Sequence, residues 1–129
     1  MPDVEELIKD RFVPFRQKVI QTLKTKYPFI LTAIEGVLST KNNSIGLQVV
    51  DNGAVVGEFT FHLSGLNIET TECGSITPEF HHPFLGVIKP YIVVEKTALE
   101  IAISDDGFSR EPLATLSRYL PNMTFKFMS

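Results

Sequence analysis

The spacing of apolar residues changes near Ser44, and that change limits the fold more than any other feature. Before it, Val4, Leu7, Ile8 and Phe12, then Phe15, Val19, Leu23 and Tyr27, recur at helical spacing on one face. Asp3 stands ahead of Val4, Glu5 and Glu6 as the expected N-cap, with carboxylates in the first turn where the helix dipole favours negative charge. Pro14 predicts a break or kink near residue 13. Phe29, Ile30, Ala33, Ile34, Val37 and Leu38 carry on the helical period, so a further helix is expected there despite β-branching and Gly36.

After Ser44 the period is two. Ile45, Leu47 and Val49 alternate with Gly46, Gln48 and Val50, and Asp51-Asn52-Gly53 supplies residues that tolerate positive φ in a hairpin turn. In the next strand, 56–63, Phe59, Phe61 and Leu63 take one face and Glu58, Thr60 and His62 the other. Past Ser64-Gly65, Leu66, Ile68 and Thr70 alternate with Asn67, Glu69 and Thr71, which completes an antiparallel meander of three strands. The stretch from Gly74 to Pro90, with Pro78, His81, His82, Pro83 and Gly86, is expected to be an irregular connection of the length at which loops carry function. Residues 91–95 make a fourth strand, and Thr97-Ala98-Leu99-Glu100 is a capping-box pattern opening a helix through Ile103, ended by Asp105-Asp106-Gly107. Pro112 opens a short helix with Leu113, Leu116 and Leu120 as its buried stripe, and Met123, Phe125 and Phe127 alternate in a last strand.

These elements predict an α+β fold: a mostly antiparallel sheet of about five strands, covered on one face by helices. One domain over 1–129 is expected, with a helical region at about 3–40 and the sheet with its later helices at about 44–128. A chain of 129 residues can bury roughly two-thirds of its unfolded surface in one core. Its net charge of −3 argues against nucleic acid, there being no surplus of Lys and Arg to neutralise phosphates. No segment reaches the roughly eighteen apolar residues of a transmembrane span, and Met1 to Asp10, with four acidic side chains, reads as neither signal peptide nor anchor. The single Cys73 cannot form an intramolecular disulfide, which suits a reducing, cytoplasmic setting.

The same residues yield little catalytic chemistry. His81-His82, with Glu79 two residues before, is the one local group of metal-ligand types, but adjacent histidines diverge and zinc wants three or four convergent ligands, so a solvated or packed loop is expected. His62 belongs on a sheet face, and Cys73 has no flanking basic residue to activate it, so a Cys/His nucleophile is set aside. The glycines match neither dinucleotide nor P-loop motifs. No catalytic residue, metal or cofactor is expected, and an enzyme using Glu79, His81 or His82 is the weakest of three functional readings.

Two stretches carry a family resemblance. Leu47-Gln-Val-Val-Asp-Asn-Gly53, running into Glu58-Phe-Thr-Phe-His-Leu-Ser-Gly65, resembles the opening strands of the sterol carrier protein type 2 family. Tyr91-Ile-Val-Val-Glu-Lys-Thr-Ala-Leu-Glu100, then Glu111-Pro-Leu-Ala-Thr-Leu116 and Met123-Thr-Phe-Lys-Phe127, is similar to that family's later half. The chain departs from the family in its longer 74–90 loop, in Asn122 near the place of a usual glycine, and in ending at Ser129 without the C-terminal helix that helps close the tunnel in many relatives.

The resemblance implies a lipid-binding, non-catalytic carrier whose partner is a hydrophobic small molecule: a fatty acid, an acyl thioester or a sterol-like compound. Phe59, Phe61, Leu63, Ile68, Val93, Leu99, Leu116, Phe125 and Phe127 are the candidate pocket walls. Their alternation aims aromatic rings at one sheet face, and solid core and hollow pocket both remain open as its outcome. The alternative is a protein-interaction module using the sheet edge or the 74–90 loop, a homodimer being one form of it.

Overall fold

The computed structural model describes residues 4–38, 42–82 and 84–128. The expected N-cap Asp3 and Pro83 of the loop lie outside the described residues. The first helix, α1, is one rod in three stretches: Val4–Glu6 in α geometry, Leu7–Phe12 in π geometry and Val13–Lys26 in α geometry. Pro14 does not break it, contrary to expectation: Phe12 and Val13 keep helical angles (φ −67°, ψ −47° and φ −60°, ψ −48°), and the Val13 N–H donates to Ile8 O, five residues back. Proline removes one donor and crowds the carbonyl four residues earlier; the wider π turn just ahead of it accommodates that mismatch, and the helix stays continuous.

The helix α2 (Pro28–Leu38) follows, and a five-stranded sheet begins at β1 (Asn43–Asp51). The Asn52-Gly53 turn has φ of 51° and 81°, the positive pair that a two-residue hairpin of matching twist requires. It leads to β2 (Ala54–Ser64) and β3 (Asn67–Cys73), the expected meander. A bulge between His62 and Leu63 sets Leu63 opposite Ile68 but His62 opposite Thr70, so Ile68 and Thr70 do not share a face as simple alternation predicted.

The 74–90 stretch is more regular than expected. It forms a hairpin, β4 (Phe80–His82) with β5 (Gly86–Ile88), whose approach segment is fastened to the back of the sheet. The Thr77 N–H donates to Thr60 Oγ1 at 2.9 Å, the Glu79 N–H to Ser44 Oγ at 2.8 Å and the His81 N–H to Asn43 Oδ1 at 2.8 Å. Gly46 admits this layer: a Cβ there would stand 3.2 Å from the Ile76 Cβ and 2.9 Å from the Tyr91 Cβ.

β6 (Pro90–Glu95) then joins β1 in parallel, and β7 (Met123–Phe127) joins β6 antiparallel, for a sheet order β3-β2-β1-β6-β7. Between them lie α3 (Lys96–Ile103), α4 (Gly107–Arg110) and α5 (Pro112–Tyr119), the last continued by a 3-10 turn at Leu120–Asn122. The fold is α+β with a mostly antiparallel sheet. Its solid core lies where the start of α1 meets the meander: Leu7 and Ile8 pack on Leu47, Val49, Phe59, Phe61 and Leu63, joined by Val94 and Leu99. Among the described residues no helix is long and apolar enough to cross a membrane.

Candidate functional site

Beyond Pro14, α1 stands off from the sheet. Between it, the sheet and α3 to α5 lies the deeper of two cavities, about 300 Å³ and lined almost wholly by carbon; the other, about 320 Å³ and more polar, lies between α1 and the α3–α4 corner without sheet residues in its lining. The helix contributes Phe12, Phe15, Val19 and Leu23 to the deeper cavity, the stripe expected from spacing, together with Arg16 and Ile20. The sheet presents Leu47, Ile92, Val94 and Met123. Opposite them, α3 turns Ala98, Leu99 and Ala102 inward, one helical face on which two of the three side chains are small.

Three rings brace the far wall. Phe15 meets Phe108 edge-on with centroids 5.1 Å apart, and Phe108 stacks on Tyr119 at 5.7 Å. The Tyr119 hydroxyl leaves the apolar lining to donate to Asp105 Oδ2 at 2.7 Å, and the Gly107 N–H donates to Asp105 Oδ1 at 2.8 Å. The Tyr119 hydroxyl, then the Gly107 N–H, hold the Asp105 carboxyl below the usual carboxylate range, while the same carboxylate pushes the Tyr119 hydroxyl up. Arg16 is the one cationic side chain in the deeper lining; its Nη1 donates to Leu66 O at 2.6 Å, and burial lowers its pKa.

Of the expected wall residues, the structure brings Leu99 and Leu116 to this cavity. Phe59, Phe61 and Leu63 are in the solid core instead, because the π segment of α1 packs directly on them, and Ile68 lies against that core. Val93 stands between Ile92 and Val94 and so points to the opposite sheet face. Phe125 and Phe127 share the cavity's face of the sheet, but they are 62% and 66% exposed, since no described helix reaches over β7. Most of the predicted stripe of α5 is likewise on the outside: Leu113 and Leu120 are exposed, Leu116 is 39% exposed while also reaching the cavity, and Pro112 and Thr115 are buried.

Ala98, Ala102, Phe108 and Tyr119 were not anticipated as lining. Their legible signal was the helix after β6, whose inward face carries two alanines, and a tyrosine at the end of the proline-started helix.

The polar candidates are elsewhere. His82 Nδ1 accepts the N–H groups of Phe84 (3.1 Å) and Leu85 (3.0 Å), a turn-closing role. On the back face His62 Nε2 lies 3.0 Å from Glu72 Oε1, out of line for a hydrogen bond. Cys73 is exposed, its thiol pushed up by desolvation and by Glu5 against the opposing effect of Lys9. Among the described residues no three His, Cys, Asp or Glu side chains are grouped to hold a metal ion.

No family model matches the chain, and no curated protein matches it. Three solved structures are similar. A conserved hypothetical protein from Thermus thermophilus, suggested to be a sterol carrier protein, is 14% identical, with a TM-score of 0.43 over 90% of this chain and 71% of that one. Sterol carrier protein 2 like 2 from Aedes aegypti is 11% identical, with a TM-score of 0.37 over 82% of this chain and 85% of that one. A crystal structure of sterol carrier protein 2 is 15% identical, with a TM-score of 0.42 over 90% and 79%.

Proposed function

We propose that the protein binds a lipid-like molecule non-covalently between α1 and the sheet, without transforming it. The observation that carries this reading is the carbon-lined space of about 300 Å³ left by α1, Ala98 and Ala102. The space is partly open, so water enters it, and an apolar guest that displaces that water from the carbon lining is favoured. The guest is drawn from fatty acids, acyl thioesters and sterol-like compounds, held by about 25 cal/mol per Å² of apolar area removed from water. The test is titration with N-phenyl-1-naphthylamine, a neutral fluorophore that brightens in apolar sites. Saturable brightening, reversed by a competing aliphatic compound, is expected; a folded protein that never enhances the probe ends the reading.

A second reading has its own observation, the exposed rings of the edge strand. Antiparallel pairing of β7 with β7 of a second copy, centred on Phe125, would set Phe125 against Phe125, Met123 against Phe127 and Thr124 against Lys126. Apolar groups then meet on one face, and no two lysines oppose each other on the other. Light scattering is expected to show a dimer that dissociates on dilution and is lost in Phe125→Glu. A monomer at every concentration rules the pairing out.

A further inference from the structure

The two cavities beside α1 adjoin each other. Phe15, Val19 and Phe108 line both, so these three side chains form the wall between the carbon-lined space of about 300 Å³ and the more polar one of about 320 Å³. Phe15 and Val19 belong to the long helix, where moving one means moving the rod. Phe108 is mounted differently: it is the buried residue of α4, a single turn of four residues.

A turn that short has no stability of its own, and its place is set from outside. The Gly107 N–H donates to Asp105 Oδ1 at 2.8 Å, the Ser109 N–H to Asp106 O at 3.0 Å and the Glu111 N–H to Gly107 O at 2.7 Å, while Lys26 Nζ donates to Arg110 O. Gly107 lets α4 lie flush on α5, since a Cβ there would stand 2.5 Å from Oγ1 of the buried Thr115. Seated so, the Phe108 ring meets Phe15 edge-on at 5.1 Å and stacks on Tyr119 at 5.7 Å, with Tyr119 tied by its hydroxyl to Asp105.

We infer that the Phe108 ring closes the carbon-lined cavity toward the outer one and so sets the greatest length of aliphatic chain the protein takes. This rests on the lipid-binding reading above and adds to it a limit on length, with the residue that imposes it. The apolar space has about twice the 150 Å³ that takes up benzene in an engineered protein cavity, and so holds on the order of ten carbons. A longer chain leaves its excess in water, where further methylenes add nothing to affinity. With the ring gone, the outer space takes up that excess along Pro14, Val19 and Ile103.

The experiment displaces N-phenyl-1-naphthylamine with the straight-chain alcohols from 1-hexanol to 1-tetradecanol, in the unaltered protein and in Phe108→Ala. Each methylene buried is worth roughly a fourfold gain in affinity. In the unaltered protein that gain is expected to stop at about ten carbons. In Phe108→Ala it continues at least to 1-dodecanol. A ring that served packing alone would lower stability, and the affinity for every alcohol alike, without moving the length at which the gain stops. Phe108→Leu keeps apolar contacts and thins the wall, so it moves the limit the same way by less, and it decides should Phe108→Ala not fold.

A gain that runs unbroken to 1-tetradecanol in the unaltered protein overturns the assignment, as does an unchanged limit in the folded variant. Either result leaves the lipid-binding reading standing. Failure of the folded protein to take up the probe at all sinks the lipid-binding reading itself.

Discussion

With Ala102 replaced by phenylalanine, the folded protein is expected to lose roughly tenfold or more of its affinity for N-phenyl-1-naphthylamine. Ala102 lies on the inward face of α3 with Ala98 and Leu99, and the side chain grown from it has the cavity as its nearest space. A ring placed there displaces about 60 Å² of buried probe surface, worth about 1.5 kcal/mol at 25 cal/mol per Å², hence the tenfold estimate. Stability changes the other way or hardly at all, because filling a void restores contacts that its lining lacks and commonly adds about 0.5–2 kcal/mol. That opposition separates loss of a site from loss of a fold. Ala98→Leu, a smaller addition one turn earlier, repeats the test where phenylalanine overpacks the space. Undiminished probe affinity in both variants, with native unfolding curves, would move binding away from this cavity.

The elements were legible in the sequence because each rests on local chemistry: period two against period 3.6, the Asn52-Gly53 turn and Pro112 at the first turn of α5; α3 forms where expected but starts at Lys96 after Glu95, without the side-chain cap that Thr97 and Glu100 suggested. What covers each apolar face was not. Phe59 and Phe125 both alternate along strands with the same face inward, yet one lies under the π segment of α1 and the other on an edge strand beyond the helices. No window around either residue differs in a way that encodes this; the difference lies in how far a distant helix reaches. The stripe of Leu113, Leu116 and Leu120 has sound helical spacing and is still mostly exposed, with Leu116 alone of the three reaching the cavity, since spacing fixes which residues share a face and not where the face looks. Ala98 and Ala102 were equally opaque, because a small side chain makes a cavity only when its neighbours hold back.

The division of one sheet face into a solid half and a hollow half sets the second large effect. Phe59→Ala should destabilise the protein by about 3–5 kcal/mol, the usual cost of truncating a buried phenylalanine, and lower the unfolding midpoint by roughly 15 °C. Phe59 is 2% exposed between Leu47 and the helix residues Leu7 and Ile8, a neighbourhood with no room to collapse inward without moving the π segment. Phe125→Ala, on the same face of the sheet, should change monomer stability by about 0.5 kcal/mol or less, because its ring is already mostly in water. Chemical denaturation of the two variants at low protein concentration, where any β7 pairing is dissociated, measures both. A costly Phe125→Ala would mean that β7 is covered in solution, and a mild Phe59→Ala that the hollow extends beneath the meander.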